Sequence, residues 1–152
     1  MIICWGDDML TVEPIEDGTV IDHIQAGRGK KVLELLGIRE GYPERVALVM
    51  NVSSKRMGKK DIVKIAGKAI EGELANLVAL VAPKSSINII KNGKVSKKYN
   101  VELPEKLEGI GTCPNPNCIT NSEAADKKFQ KEGEAYRCYY CERVFNAEEL
   151  AR

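Results

Sequence analysis

Histidine is almost missing from this chain: His23 is the one copy in 152 residues. No Ser/His/Asp set, no pair of carboxylates on one helix face and no cofactor fingerprint stands out, so the sequence offers no catalytic apparatus. Net charge is nearly missing too. Lys and Arg number 23 and Asp and Glu 22, a formal balance of +1, which gives no global field toward nucleic acid or membrane. No apolar run reaches the ~20 residues needed to span a bilayer. Residues 1–10 carry Asp7 and Asp8 and have neither a basic n-region nor an apolar h-region, which excludes a secretory signal. The expected setting is the cytoplasm, where thiols stay reduced.

Cysteine is what the chain does have. Five are present, and four fall in the last 40 residues: Cys113, Cys118, Cys138 and Cys141. Cys4 stands apart. An odd count in a reducing compartment argues for metal ligation over a disulfide framework. The spacing is Cys113-x4-Cys118, 19 residues, then Cys138-x2-Cys141. Two close pairs joined by a loop let two turns converge on a tetrahedral ion. Zn²⁺ suits four thiolates because it imposes little geometry of its own and is not reducible, and four protein ligands leave no open position for chemistry. One structural Zn²⁺ per chain is expected. Iron fits the same cage on geometry alone. A redox dithiol at Cys138 and Cys141 is the weaker reading, because no thioredoxin-like βαβ pattern surrounds it.

The pattern divides the chain into residues 1–103 and 104–152, with Leu103-Pro104-Glu105 as the linker. In the first part, Val12–Ile15 reads as a strand, Asp17-Gly18 as a turn, and Thr19–Ile24 as a β-branched strand. Val32, Leu33, Leu35 and Leu36 suit one face of a helix over 30–36, with Gly37 at its end. Residues 45–53 read as a buried strand, and 60–65 alternate as a half-buried one. Leu74, Leu77, Val78 and Val81 share a helix face over 73–81, stopped by Pro83. Asn92-Gly93 between residues 87–91 and 94–99 is a strong hairpin signal. This order predicts an α+β fold, a ferredoxin-like β-α-β-β-α-β unit with an extra hairpin and helices on one face. The second part has fewer than 50 residues and few long apolar runs. It can hardly bury enough core unaided, which fits a metal staple in a small all-β zinc-ribbon or rubredoxin-like domain.

Charge is unevenly placed. Residues 104–152 carry seven basic and nine acidic residues. The remainder is basic, with Lys55, Arg56, Lys59, Lys60, Lys64 and Lys68 around one strand. Lys84, Lys91, Lys94, Lys97 and Lys98 lie in a stretch with no acid between Glu73 and Glu102. Two basic segments on one sheet suit a polyphosphate. Solvated edge lysines that block aggregation are the competing reading, and composition alone leaves both open. Asp22 beside His23 alternates faces on a regular strand and is a poor catalytic dyad there. The acidic C-terminal part argues against a nucleic-acid-binding zinc ribbon, whose affinity rests on phosphate neutralisation.

Residues 18–24 (GTVIDHI), Met57-Gly58-Lys59-Lys60-Asp61 with Lys64-Ile65, Ala82-Pro83, Asn88, Leu103-Pro104, residues 113–119 (CPNPNCI) and Cys138-x-Tyr140-Cys141-Glu142 together resemble aspartate carbamoyltransferase regulatory chains. The similarity runs from about Leu10 to the C-terminus; residues 1–9 match no recognised segment. The resemblance implies a non-catalytic subunit of pyrimidine biosynthesis. Its N-terminal domain would bind ATP or CTP, with UTP alongside CTP in some members. Its C-terminal zinc domain would contact catalytic chains, and regulatory-chain homodimers would bridge catalytic trimers. On matching positions, Asp22 and Lys64 would meet the ribose, and Lys98 and His23 the phosphates. The base would lie against Val12 and Ile15, with backbone near Glu13, Ile15 and Asn88 to Ile90 discriminating it; Val95 belongs to the same site. Cys113, Cys118, Cys138 and Cys141 match the zinc ligands. No nucleic-acid or membrane partner is implied.

Strong chelation or thiol mercuration should unfold the C-terminal part and spare much of the N-terminal part, as read by circular dichroism. Loss of both in one transition would show that the two parts do not fold independently.

Overall fold

A computed structural model describes residues 2–5, 8–11 and 14–151, with side chains from Pro14 to Ala151. Two short strands, β1 (Ile2–Trp5) and β2 (Asp8–Thr11), pair as an antiparallel hairpin that the sequence pattern did not suggest. The side chains of Cys4, Val12 and Glu13 lie outside the described residues. Pro14 and Ile15, expected to continue a strand, are irregular. Proline has no N–H to give to a ladder.

The main body follows as β3 (Gly18–Gln25), α1 (Gly29–Leu35), β4 (Val46–Ser54), β5 (Gly58–Ala66), α2 (Glu73–Val81), β6 (Ser86–Lys91) and β7 (Lys94–Asn100). These strands form one antiparallel sheet in the order β4-β5-β3-β6-β7. The first four positions in that order are those of a ferredoxin-like unit, and β7 is the added hairpin arm. Asn92 and Gly93 take φ of 53° and 75° at its turn, which is what a primed hairpin turn demands. Helix α1 ends in a Schellman arrangement. Gly37, at φ 75°, donates to Glu34, and Ile38 donates to Leu33.

One face of the sheet carries Ile21, Ile24, Val63, Ile65, Ile87 and Ile89 into a core with Val32, Leu36, Ala75, Val78 and Ala79 of the helical segments. The opposite face has a smaller apolar cluster of Val49, Val52 and Ile62, with Val20 packed against it. The half-buried alternation expected for β5 is therefore not what forms: residues 61–66 are buried throughout, including Asp61 and Lys64. The strand is interior to the sheet and covered on both sides.

Asp61 explains the local geometry. Strand β3 bulges between Ile21 and Ile24, and β4 between Val49 and Val52, so both neighbours of β5 are irregular at the same level. His23 and Asn51 sit in these bulges with φ of 58° and 61°. A bulge frees a backbone N–H from its ladder. Asp61 Oδ1 accepts the freed Asn51 N–H at 3.0 Å. Its Oδ2 accepts from Gly27 and Gly29, each at 2.9 Å, at the start of α1. Only glycine fits at 29: a Cβ there would lie 2.5 Å from Leu48 Cδ1 and 3.0 Å from the Asp61 carboxylate. Gly18 is equally constrained, since a Cβ would fall 2.2 Å from the Ile65 carbonyl oxygen.

Residues beyond Asn100 build a second antiparallel sheet, β11-β10-β9-β8, from β8 (Lys106–Glu108), β9 (Lys128–Glu132), β10 (Ala135–Cys138) and β11 (Val144–Asn146). One helical turn, α3 (Ile119–Ser122), and a 3₁₀ turn at Ala147–Leu150 complete it. Mixed α+β architecture with a small all-β sheet is thus the observed class. The apolar core runs on from α2 through Val101 and Leu107 to Phe129, Tyr136 and Leu150. Tyr136 is fully buried and donates its hydroxyl to the Pro104 carbonyl at 2.6 Å.

Two outcomes follow from these buried groups. Asp61→Ala strands three backbone donors and should cost about 3 kcal/mol of stability in denaturant titration; a loss below about 0.5 kcal/mol would show that the carboxylate is dispensable. Burial, and then the charge of Glu105, push the Tyr136 phenol up to about 12. The unfolded chain ionises this phenol near pH 10, before the folded one does, so stability falls as pH rises from about 10 to 12. Tyr136→Phe should be measurably less sensitive across that window in pH-dependent melting.

Candidate functional site

The ladder register places most of the sequence-predicted ligand residues on the sheet face away from the helices. Lys64 of β5 pairs with Val20 of β3, Val20 with Asn88 of β6, and Asn88 with Lys98 of β7. One row across four strands therefore reads Lys64, Val20, Asn88, Lys98. Toward one end of the face, Gly18 pairs with Ile90 and Ile90 with Val95, which is 58% exposed. Ile15 is buried beside Gly18, its Cδ1 at 2.9 Å from where a Cβ would stand. This end is apolar. A cavity of about 690 Å³ opens next to it, lined by Pro14, Ile15, Asp17, Arg45, Gly67 and Gly93 among others. The cavity does not reach Lys64 or Lys98, and with Glu16, Asp17, Glu44 and Arg45 on its walls it is a charged recess beside the apolar end.

The other end is polar. The bulge in β3 overturns the expectation that Asp22 and His23 lie on opposite faces. Two residues of β3 occupy the space of one on β5, and His23 turns into the left-handed region. Asp22 Oδ1 accepts the freed His23 N–H at 2.6 Å, and the His23 ring stands 3.9 Å from Asp22 Oδ2. His23 Nδ1 also lies 3.1 Å from the Ser86 hydroxyl. Lys60 Nζ closes the group at 2.9 Å from Asp22 Oδ1. Sequence places Lys60 in the basic cluster suited to a polyphosphate without giving it a contact, and does not single out Ser86. Lys60 lies in the quoted Met57–Asp61 motif, whereas Ser86 becomes visible only once β6 is registered against β3.

The rest of the GTVIDHI segment is structural. Thr19 donates to the Lys68 carbonyl at 2.7 Å and accepts from the Ile70 N–H at 3.0 Å, while Ile21 and Ile24 enter the core. The two basic clusters converge only in part. Lys68 donates to the Leu36 carbonyl at 3.1 Å, and Lys97 pairs with Glu71 at 3.1 Å. Lys64 is buried, and burial, followed by the charge of Arg45, pushes its ammonium below the ordinary lysine range.

The second site lies in the small sheet. Sγ of Cys113 and Cys141 are 3.7 Å apart, those of Cys118 and Cys138 3.8 Å, and all four fall within 4.8 Å of one another. A tetrahedron with metal–sulfur bonds of about 2.3 Å puts sulfurs about 3.8 Å apart, so the cage has the dimensions of a four-thiolate zinc centre. Both knuckles are shaped by backbone. Cys118 N–H donates to the Asn115 carbonyl, and Glu142, at φ 62°, donates to the Cys138 carbonyl. The Asn121 amide braces the first knuckle through the carbonyls of Cys113 at 2.9 Å and Asn115 at 2.7 Å. Burial pushes the Cys113 and Cys138 thiols up. At Cys118 burial acts the same way, but hydrogen bonds from the Thr120 hydroxyl and backbone outweigh it and bring the thiol to about 7. The donor set could hold one metal ion with all four tetrahedral positions filled by protein.

The cage and the candidate face lie in the two parts that comparison with known families separates. Residues 10–102 match the model for the aspartate carbamoyltransferase regulatory chain, allosteric domain. Residues 105–151 match its metal binding domain. The chain belongs to the aspartate carbamoyltransferase regulatory chain family. A regulatory chain of Pyrococcus horikoshii is 51% identical over 145 residues, covering 93% of this chain and 95% of the relative. That of Methanococcus vannielii is 49% identical over 146 residues, with 94% and 97% covered. That of Thermococcus kodakarensis is 44% identical over 146 residues, with 94% and 96% covered. As a member of this family the chain is a regulatory, non-catalytic subunit with an allosteric domain and a metal-binding domain. No helix among the described residues is long and apolar enough to cross a membrane.

Proposed function

We propose that this regulatory chain binds ATP and CTP, with UTP beside CTP, on the Lys64–Val20–Asn88–Lys98 face, and passes their effect to catalytic trimers of aspartate carbamoyltransferase in the cytoplasm. The division falls between residues 1–103, the nucleotide unit, and 104–152, the zinc unit that meets the catalytic chain. The observation that carries this is the polarity of one sheet face. Apolar Ile15, Ile90 and Val95 stand at one end, Lys64 and Asn88 in the middle, and Asp22, His23 and Lys60 at the other. The apolar end suits a base, Lys64 and Asp22 suit a ribose, and His23 and Lys98 suit the phosphates. Val12 and Glu13 would complete the base end. Lys98, exposed on β7, is free to swing toward an anion.

Cys113, Cys118, Cys138 and Cys141 would hold one Zn²⁺, which supplies a rigid crosslink and no reaction step. The cage fixes the surface that meets the catalytic chain, and pairing of two regulatory chains through their nucleotide units would let one dimer bridge two trimers. Effectors that bind two arrangements with affinities differing by about 1–3 kcal/mol suffice to shift the activity of the assembly.

Isothermal titration of Lys64→Ala and Lys98→Ala should show ATP and CTP binding weakened about tenfold or more, the worth of one charge-assisted contact, with metal content unchanged. Unaltered affinity for both nucleotides in both variants would misplace the site. Light scattering with catalytic trimers should give a large complex that forms only with metal present.

A further inference from the structure

Besides their shared apolar core, the described residues of the two units meet at an ion pair close to the strand that carries the proposed ligand face. Arg28 lies three residues beyond the end of β3, in the turn into α1. Its Nη2 lies 2.8 Å from Glu148 Oε2 of the 3₁₀ turn, and its Nη1 donates to the Val81 carbonyl at the end of α2 at 2.9 Å. The backbone on either side of Arg28 is clamped, since Gly27 and Gly29 both donate to Asp61 Oδ2. The residue before Asp61 is Lys60, which grips Asp22 on the ligand face. Adjacent residues of β5 thus hold the ligand end of β3 on one side of the sheet and the Arg28 turn on the other. Beyond Glu148 the contact continues: the Leu150 carbonyl accepts the Thr112 N–H at 2.9 Å, and Thr112 precedes Cys113 of the cage.

We propose that Arg28 is the positioning residue that couples the ligand face to the metal unit through Glu148. An anion that draws Lys60 away from Asp22 releases the bulged end of β3, and the displacement reaches Arg28 through the Lys60-Asp61 step. The pair is suited to a switch. Arg28 and Glu148 are 30% and 55% exposed at their side chains, so their contact is worth little to folding and is easily exchanged between two arrangements. A cavity of about 520 Å³ beside the pair, lined also by Lys84, Glu102 and Lys131, gives both side chains room to move. Linkage requires the effect to be reciprocal: the state of the pair must change nucleotide affinity in the assembled complex by the same factor that nucleotide changes the pair.

This inference rests on the nucleotide reading above, and its test separates the two. Full-length Arg28→Ala, Glu148→Ala and the double variant are assembled with catalytic trimers. The aspartate concentration for half-maximal rate is measured alone, with ATP and with CTP, and nucleotide affinity of each unassembled chain is measured by calorimetry. The expected result is near-wild-type melting and retained nucleotide binding in all three variants, with the nucleotide-induced change in half-saturation cut about threefold or more in each single variant. The double variant should be no worse than Arg28→Ala. Wild-type nucleotide responses in Arg28→Ala overturn the coupling role, as does a wild-type complex that binds nucleotide without responding. Absence of nucleotide binding to the wild-type chain overturns the reading beneath it.

Discussion

The carboxylate of Asp61 ties the β4 bulge and the turn into α1 to strand β5 by accepting their backbone N–H groups. Bulges in β3 and β4 face each other across β5, and the turn into α1 begins at the same level. Each leaves a donor outside its ladder or helix, and a buried unpaired donor costs of order 1–3 kcal/mol. One fully buried side chain accepts the N–H groups of Asn51, Gly27 and Gly29. Without it the β4 bulge and the turn into α1 would bury unpaired donors, whereas the β3 bulge is served by Asp22, which accepts the His23 N–H. Without the β3 bulge, Asp22 and His23 would point to opposite faces and the polar end of the ligand face would not exist.

Much of this was legible in the sequence. The cysteine spacing announced the cage because thiolates are specific and their local turns are short. Asn92-Gly93 announced its hairpin because two consecutive positive φ values are expensive for other residues. The helix over 73–81 was drawn by its apolar spacing and stopped near Pro83 as expected. What escaped were features made by tertiary context. Nothing in Asp22-His23 announces a bulge, and the register that aligns Lys64 and Asn88 is set by long-range pairings of both to Val20, with only the Asn88–Lys98 pairing local. Strand β5 was read as half-buried because Lys60, Asp61 and Lys64 are polar. The structure instead covers Asp61 on the helix side and nearly covers Lys64 on the other. The role of Asp61 was hidden for the same reason, since a carboxylate in a basic stretch looks like surface.

The two units are less separate than their compositions suggest. A break in charge and apolar density at Pro104 marks a change of architecture, yet the core continues across it, with Tyr136 reaching back to the linker carbonyl and the 3₁₀ turn at Ala147–Leu150 lying against α2. A small cage-stapled sheet and a ferredoxin-like sheet therefore share apolar surface while exchanging only a few polar contacts.

The hairpin tip at Asn92 and Gly93 has one more implication. Gly93 donates to the Glu16 carbonyl at 2.9 Å and Asn92 to the Asp17 carboxylate at 3.2 Å, so the arm formed by β6 and β7 is tied to the loop beside Ile15. The apolar end of the face is bounded by two backbone segments already fastened together. A ligand entering there has little chain to immobilise, so the entropy cost of ordering that end is largely met during folding. Discrimination between a purine and a pyrimidine would then come from fixed dimensions, with mismatch felt as strain in the rest of the sheet and not absorbed by a yielding loop.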